Sequence, residues 1–168
     1  MEWLAQGILK AIGAGLNQWE LLEEFADEAD FDCFLLAGRY TLLEQAAIRL
    51  LNKCQAKGIG VILGGIYNSG ILATGAIPGA KYDYQDASPE IMERVRQIQT
   101  VCARYQVPIN MAAIQFPLAH PAVTSLIVGA ESVAQVKANQ AALTGYIPPE
   151  LWSDLKKEGL IEDLAATP

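Results

Sequence analysis

The sequence alternates short apolar runs with longer helical patterns, and this alternation constrains the fold more than any other feature. The runs, each about the length of a short buried strand, cover residues 9–14, 33–36, 60–63 and 125–128. Strands that alternate with helices are typical of βα units and a parallel sheet. We therefore predict one α/β domain over residues 1–168, made of four βα units plus extra C-terminal helices.

The stretches between the runs carry helical signals. Trp19, Leu22 and Phe25 recur at helical spacing after Asn17, which we expect to cap that helix. Further helices are predicted over residues 43–56, 89–105, 109–118 and 133–143 and from residue 148 onward. Residues 66–87 are polar and contain glycine. This stretch is too long for an ordinary βα loop, so we expect it to be functional rather than disordered.

Charge and composition exclude several classes of function. The net charge of −7 repels a phosphate backbone, so nucleic acid is not an expected partner. The longest strongly apolar run, residues 59–66, is too short to cross a bilayer, and no basic signal segment opens the sequence. We expect no membrane association and a cytoplasmic location. Cys33, Cys54 and Cys102 form no metal-binding pattern and are interpreted as buried thiols, so no metal site is predicted.

Four segments resemble the aldo-keto reductases in that family's order and spacing. They are KAIGAGLNQWE at residues 10–20, LLAGRYTLLEQ at 35–45, GIGVILGGIYNSGILATG at 58–75 and TSLIVGAESVAQVKANQAAL at 124–143. Two shorter segments, IYNSGIL and QFPLAHPAV, are similar to the family's L-fucose and D-threo-aldose 1-dehydrogenases. The resemblance implies a (β/α)8 TIM barrel. A closed barrel typically needs about 250 residues, so this chain is expected to form only the C-terminal half.

The resemblance also implies an NAD(P)-dependent oxidoreductase of the aldose 1-dehydrogenase type, which oxidises a small sugar to a lactone. The family's catalytic Asp, Tyr, Lys and His lie in the first four strands, and this chain begins just before the fifth. No catalytic residue is therefore predicted here, and the isolated chain is expected to be inactive. The single histidine, His120, precedes the last strand on the face opposite the active site. We expect it to lie near free carbonyls at a helix end.

A second hypothesis is a non-catalytic half-barrel from a split or truncated gene, acting as a nucleotide-binding or interaction module. Four parallel strands leave two open edges. Such a chain is expected to self-associate or to pair with a separately made N-terminal half. A partner of that kind would restore the enzyme.

The predicted cofactor site for a nicotinamide dinucleotide consists of two loops. Backbone amides after the third strand can approach a diphosphate closely, and the residues concerned are Gly64, Gly65, Asn68, Ser69 and Gly70. A glycine turn without a ligand is the alternative. The fourth strand leads to a helix N-terminus, which favours an anion, through Gly129, Ala130 and Ser132. The resemblance implies that this second loop binds the adenosine phosphate and that Asn139 contacts adenine.

The resemblance has further consequences for the two ends of the cofactor. Gln135 replaces the family's arginine for the 2′-phosphate and Glu131 is nearby, so NAD is expected rather than NADP. Asn17 is a candidate to replace the family's nicotinamide-binding residues. Arg39 and Tyr40 follow the second strand at the C-terminal rim, and we expect them to contact the substrate. Packing for Tyr40 and an ion pair for Arg39 are the alternatives.

Overall fold

The four apolar runs form one parallel sheet, as the alternation predicts. The computed structural model describes residues 2–168, with the side chains of Glu2 and Ala5 excepted. Its strands are β1 Gly13–Gly15, β2 Cys33–Ala37, β3 Gly60–Gly64, β4 Lys81–Tyr82, β5 Gln85–Asp86 and β6 Val123–Ile127. The sheet order is β1-β2-β3-β6, while β4 and β5 form a separate antiparallel hairpin.

Helices cover the sheet on one side. They are α1 Glu2–Ala5, α2 Trp19–Glu28, α3 Ile48–Lys57, α4 Ile71–Thr74, α5 Pro89–Arg104, α6 Ile109–Gln115, α7 Val133–Thr144 and α8 Pro149–Lys157, with a 3₁₀ helix over Phe116–Ala119. α2 packs on α3, α5 on α8 and α6 on α7. In the part of the chain that the structure describes, no helix is long and apolar enough to cross a membrane.

The two faces of the sheet differ in exposure. Leu36 and Leu63 point towards the helices and are at most 1% exposed. On the opposite face Leu35 is 41% exposed and Ile127 is 55% exposed. Parallel sheets are normally covered on both faces. One face of the sheet and its edge strands β1 and β6 thus stay open among the described residues, as expected for part of a barrel.

The helix predicted over residues 43–56 begins later, at Ile48. Thr41 accounts for the difference, because its Oγ1 accepts hydrogen bonds from the N–H groups of Leu43 (3.2 Å) and Glu44 (3.1 Å). Such a side-chain bond offers the backbone an alternative to helix. The end of α3 agrees with the prediction, since Gly58 has a φ of 73° and caps the helix in the left-handed conformation.

Two predictions near the start of the chain are wrong in detail. The first strand begins at Gly13 rather than at Leu9, because the N–H of Leu9 donates to the carbonyl of Trp3 in a turn. The cap position of α2 is Gln18, and no side chain accepts a capping hydrogen bond there, so Asn17 is not the cap. Residues 66–87 are folded, with α4 and the β4–β5 hairpin inside this stretch.

Candidate functional site

A cavity of about 570 Å³ lies at the carboxyl ends of β3 and β6, where α/β folds place their ligands. The loop after β3 forms one wall. The segment before α7 and the start of that helix form the other. The predicted cofactor residues that line the cavity are Gly65, Asn68, Ser69, Gly70, Gly129, Ala130, Gln135 and Asn139. Two loops that are distant in sequence thus border one cavity.

The loop after β3 turns sharply because four of its residues have positive φ. They are Gly65 (62°), Asn68 (45°), Ser69 (59°) and Gly70 (98°). A Cβ at Gly65 would lie 3.3 Å from the backbone nitrogen of Gly38, so crowding as well as φ favours glycine at this position. The Ser69 N–H donates to no protein acceptor among the residues described. It is therefore available to an anionic ligand.

Asn68 lies at the base of this loop and is only 4% exposed. Its Nδ2 donates to the carbonyl of Gly38 at 3.5 Å. Its Oδ1 is buried and accepts no hydrogen bond within the described part of the chain. An unpaired buried acceptor typically costs about 1–3 kcal/mol. This orphaned oxygen fits a site that a ligand completes.

The N-terminus of α7 faces the loop after β3 across the cavity. Ser132 Oγ accepts from the N–H of Gln135 at 3.2 Å, and Gln135 Oε1 accepts from the N–H of Glu131 at 2.6 Å. These bonds fix the turn, while the helical N–H groups of Val133 and Ala134 have no partner within the helix. The positive end of the helix dipole favours an anion here. The lining contains Glu131 and neither lysine nor arginine.

Tyr67 joins the two walls of the cavity. Its hydroxyl donates to Asn139 Oδ1 at 3.1 Å, and both residues line the cavity. Burial raises the pKa of the Tyr67 hydroxyl above its usual value. The phenol therefore stays protonated and acts as the donor in this hydrogen bond.

The β4–β5 hairpin closes one side of the cavity, and Arg39 helps to hold it. Arg39 Nη1 lies 3.5 Å from Glu44 Oε2 and 3.6 Å from Asp83 Oδ2. The Tyr82 hydroxyl donates to the same Glu44 oxygen at 2.7 Å. Tyr84, at the hairpin tip, lines the cavity and is 93% exposed. Arg39 thus forms ion pairs, which is the alternative to substrate contact given for it in the sequence analysis.

Tyr40 lies in the core, although it follows β2 directly. It is 1% exposed, its ring stacks on Phe116 with centroids 5.4 Å apart, and the His120 ring meets it edge-on at 5.7 Å. Its hydroxyl is buried and has no hydrogen-bond partner in the described structure. Burial raises its pKa to about 12. This placement favours the packing alternative over contact with a substrate.

Three predicted cofactor residues, Gly64, Ser132 and Asn17, are absent from the cavity lining. Gly64 ends β3 and Ser132 caps α7, so both act through the backbone of the walls. Asn17 is exposed in the loop after β1. Conversely, the lining includes residues that the sequence did not single out as cofactor contacts, namely Tyr67, Thr74, Tyr84, Asn110 and Glu131. Tyr67, Thr74 and Glu131 lie inside the segments that carry the family resemblance, whereas Tyr84 and Asn110 lie outside them.

Acid–base chemistry is sparse in the cavity. Its titratable side chains, among the residues described, are Tyr67, Tyr84 and Glu131. His120 lies at the other end of β6, where Nδ1 accepts from the N–H of Ala122 at 3.2 Å and Nε2 interacts with Asn52 Oδ1 at 3.1 Å. Burial lowers the His120 pKa. The histidine thus holds the turn into β6 in its neutral form.

Comparison with known proteins decides the family. The model of the aldo/keto reductase family matches residues 1–158. The chain belongs to the aldo/keto reductase family. This confirms the resemblance carried by the four segments, and the partial barrel agrees with the fold that the family implies.

Two relatives and one solved structure show how much of the fold is present. The chain is 42% identical to pyridoxal 4-dehydrogenase of Microbacterium luteolum, over 95% of this chain and 47% of the relative. It is 38% identical to D-threo-aldose 1-dehydrogenase of a Pseudomonas species, over 94% of this chain and 48% of that relative. The holo form of aldo-keto reductase AKR11C1 from Bacillus halodurans aligns with a TM-score of 0.75 and 22% identity, over 99% of this chain and 55% of that one. The chain spans about half the length of the relatives it matches.

Proposed function

We propose that this chain binds the diphosphate and adenosine parts of a nicotinamide dinucleotide, as the C-terminal half of an oxidoreductase barrel. The observation that carries the proposal is the single cavity shared by the loop after β3 and the start of α7. Its volume of about 570 Å³ is within the range of cofactor and small-molecule sites.

The residues of the cavity fit the proposed ligand. A diphosphate would accept hydrogen bonds from the free N–H of Ser69 and from the amides at the N-terminus of α7. Gly70 and Gly129 leave open space where a Cβ would stand, so the ligand could approach the backbone closely. Asn68 would act by holding the loop, since its Nδ2 donates to the carbonyl of Gly38. Asn139 would contact adenine.

The charges around the adenosine end favour NAD over NADP. A 2′-phosphate needs cationic partners, normally arginine or lysine. The lining offers Glu131 and Gln135 and no cationic side chain. The carboxylate would repel the additional phosphate, whereas a ribose 2′-hydroxyl meets no such penalty.

The proposed reaction is the oxidation of an aldose at carbon 1. When bound, the oxidised dinucleotide supplies the acceptor for the C1 hydride, the C1 hydroxyl gives its proton to a base, and the products are a lactone, the reduced dinucleotide and a proton. The residues of this chain bind and orient the dinucleotide. The lining contains neither lysine nor histidine. We therefore propose that the base belongs to an N-terminal half of the barrel, which would also complete the substrate site.

A non-catalytic half-barrel is the second candidate, and the open sheet favours it for the isolated chain. β1 and β6 each pair on one side only within the described structure, and Leu35 and Ile127 are exposed on the uncovered face. Unpaired edges and exposed apolar side chains promote association with another sheet. We propose that four N-terminal βα units provide that cover and that self-association replaces it when they are absent.

A reconstitution assay tests the proposal. The chain would be purified alone and together with the N-terminal half of the D-threo-aldose relative, and reduction of NAD by L-fucose would be followed. We expect turnover only when both halves are present. Turnover by the chain alone would show that the base lies within it. Binding of the two halves without any turnover would favour the non-catalytic candidate.

A matched pair of substitutions separates association from folding. Leu35→Gln changes the open face, where the side chain is 41% exposed, and should prevent reconstitution while the chain stays folded. Leu36→Gln changes the helix-covered face, where the side chain is fully buried, and should unfold the chain. Equal effects of both substitutions would contradict a partner on the open face.

A further inference from the structure

The open face of the sheet carries mostly small residues. Side chains alternate between the two faces along a strand, and residues paired in register share a face. The face on which Leu35 is exposed therefore consists of Gly13 and Gly15 in β1, Cys33, Leu35 and Ala37 in β2, Gly60, Ile62 and Gly64 in β3, and Ser125 and Ile127 in β6. The large side chains of this set are Leu35, Ile62 and Ile127.

Backbone conformation does not require the glycines of this face, because none of them has a positive φ. A Cβ at Gly15 would lie 3.4 Å from the Leu35 Cβ, and one at Gly64 would lie 3.6 Å from the Ala37 Cβ. Both distances are ordinary van der Waals contacts. These positions could thus hold a side chain, and glycine there leaves space above the sheet.

A second copy of this chain does not fill that space. The interior of a closed barrel is filled by layers of side chains in which bulky branched residues dominate, and protein interiors contain few voids. Two copies of this face would bring glycine and other small residues to the interior from both sides. The net charge of −7 also opposes pairing with an identical chain.

The helices beside the two open edges indicate that the missing cover includes helices. At the β1 edge, α2 exposes Leu21 and Phe25. They lie about half a turn from Glu23, which pairs with Lys53 of α3, so they face away from α3. At the β6 edge, α7 exposes a stripe at helical spacing that consists of Val133, Val136 and Leu143.

We infer that the open face binds a half-barrel of parallel βα units whose inward side chains are large and occupy the space above the glycines. A second copy of the chain cannot replace this partner in a closed barrel. The inference rests on the proposed function, since it specifies the chemistry of the proposed N-terminal half. Its content is a division of the interior, in which this chain contributes mostly backbone and the partner contributes most of the side-chain volume.

A substitution that adds volume to the open face tests this inference. Ser125 is exposed and pairs in register with Ile62, so Ser125→Leu should leave the isolated chain folded. Ser153→Leu adds the same side chain at an exposed position of α8 and is the matched control. Binding of each chain to the N-terminal half of the D-threo-aldose relative would be measured by isothermal titration. Self-association would be measured by sedimentation equilibrium.

We expect Ser125→Leu to weaken binding of the N-terminal half about fivefold or more, as is typical of one overpacked side chain. Self-association should stay the same or become stronger, because the new side chain adds apolar surface where two copies leave a void. Ser153→Leu should change neither quantity. The N-terminal half should also dissociate any self-associated form of the unsubstituted chain.

Three results would overturn the inference. They are undiminished binding of the N-terminal half by Ser125→Leu, no binding by the unsubstituted chain, and a discrete dimer that the N-terminal half does not dissociate. The proposed function fails separately, if the assembled halves do not bind NAD. Circular dichroism of each variant checks that it is folded.

Discussion

The backbone N–H of Tyr84 donates to Ser69 Oγ across 3.0 Å and fastens the tip of the β4–β5 hairpin to the loop after β3. Asp83 and Tyr84 form the two-residue turn of this hairpin, with φ of 47° and 64°. Non-glycine residues in this conformation typically cost about 1–2 kcal/mol each. The bond to Ser69 helps to offset that cost, and it holds Tyr84 beside the cavity.

Substitution of Ser69 by alanine should therefore loosen the hairpin. Amide hydrogen exchange over residues 81–86 should become faster, and NAD should bind about two- to fivefold more weakly, as expected for one lost hydrogen bond. Ser153→Ala, at an exposed position of α8, is the matched control and should change neither quantity. Unchanged exchange in the Ser69 variant would show that the hairpin is held by its ion pairs alone.

Two glycine substitutions separate backbone strain from crowding. Gly65 and Gly159 have similar φ, 62° and 66°, so alanine at either position should cost about 1–2 kcal/mol of unfolding free energy. A Cβ at Gly65 would also lie 3.3 Å from Gly38 N, whereas nothing lies within 4 Å at Gly159. Gly65→Ala should therefore be the more destabilising substitution in urea titrations and should weaken NAD binding. Equal destabilisation by the two substitutions would mean that the loop shifts to accommodate the added Cβ at no cost in free energy.

Tyr40→Phe tests whether the buried tyrosine is a packing residue. Its hydroxyl has no hydrogen-bond partner in the described structure, so removal of the hydroxyl also removes a desolvation cost. The unfolding free energy in urea should stay the same or rise by up to about 1 kcal/mol, and NAD binding should not change. A fall in stability or in substrate affinity of a reconstituted enzyme would instead favour a polar role for this tyrosine.

Stability should decrease on mild acidification because of His120. Burial lowers its pKa in the folded state. As the pH falls through the unfolded-state value of about 6.5, the unfolded chain binds a proton that the folded chain does not. The unfolding free energy should therefore fall, and this loss should end below the folded-state pKa.

Guanidinium titrations between about pH 7 and pH 5.5 measure this slope, since histidine is the side chain that ordinarily titrates there. His120 is the single histidine of the sequence. His120→Gln cannot titrate and should lose the slope, although its stability is lower at neutral pH. A slope that persists in this variant would assign the pH dependence to another group.

The sheet was predictable from the sequence, whereas several boundaries were not. Apolar runs bounded by helical patterns are a local signal, and each of them contributes a strand. The late start of α3 depends on hydrogen bonds that Thr41 makes with its own turn. Helical periodicity does not reveal such competition. The β4–β5 hairpin was missed because its turn, Asp83–Tyr84, lacks the glycine that usually marks a two-residue turn.

The sequence predicts those parts of the candidate site that depend on the backbone conformation of glycine. Gly65 and Gly70 carry a local signal, and the positive φ values agree with it. Contacts between distant segments leave no local signal in the sequence. The positions of Tyr67 and Tyr84 in the cavity are therefore known only from the structure. The sequence predicts Tyr40 at the rim because it follows a strand end. Its ring lies instead against Phe116 in the core.

Thermal unfolding of the chain with NAD or NADP tests the central claim, that the loop after β3 and the start of α7 form a dinucleotide site. A ligand that binds the folded state raises the midpoint by an amount that grows with its concentration relative to Kd. We predict a midpoint that rises with NAD and rises less with NADP at equal concentration. A midpoint that neither dinucleotide changes, in a chain shown to be folded, would contradict the account.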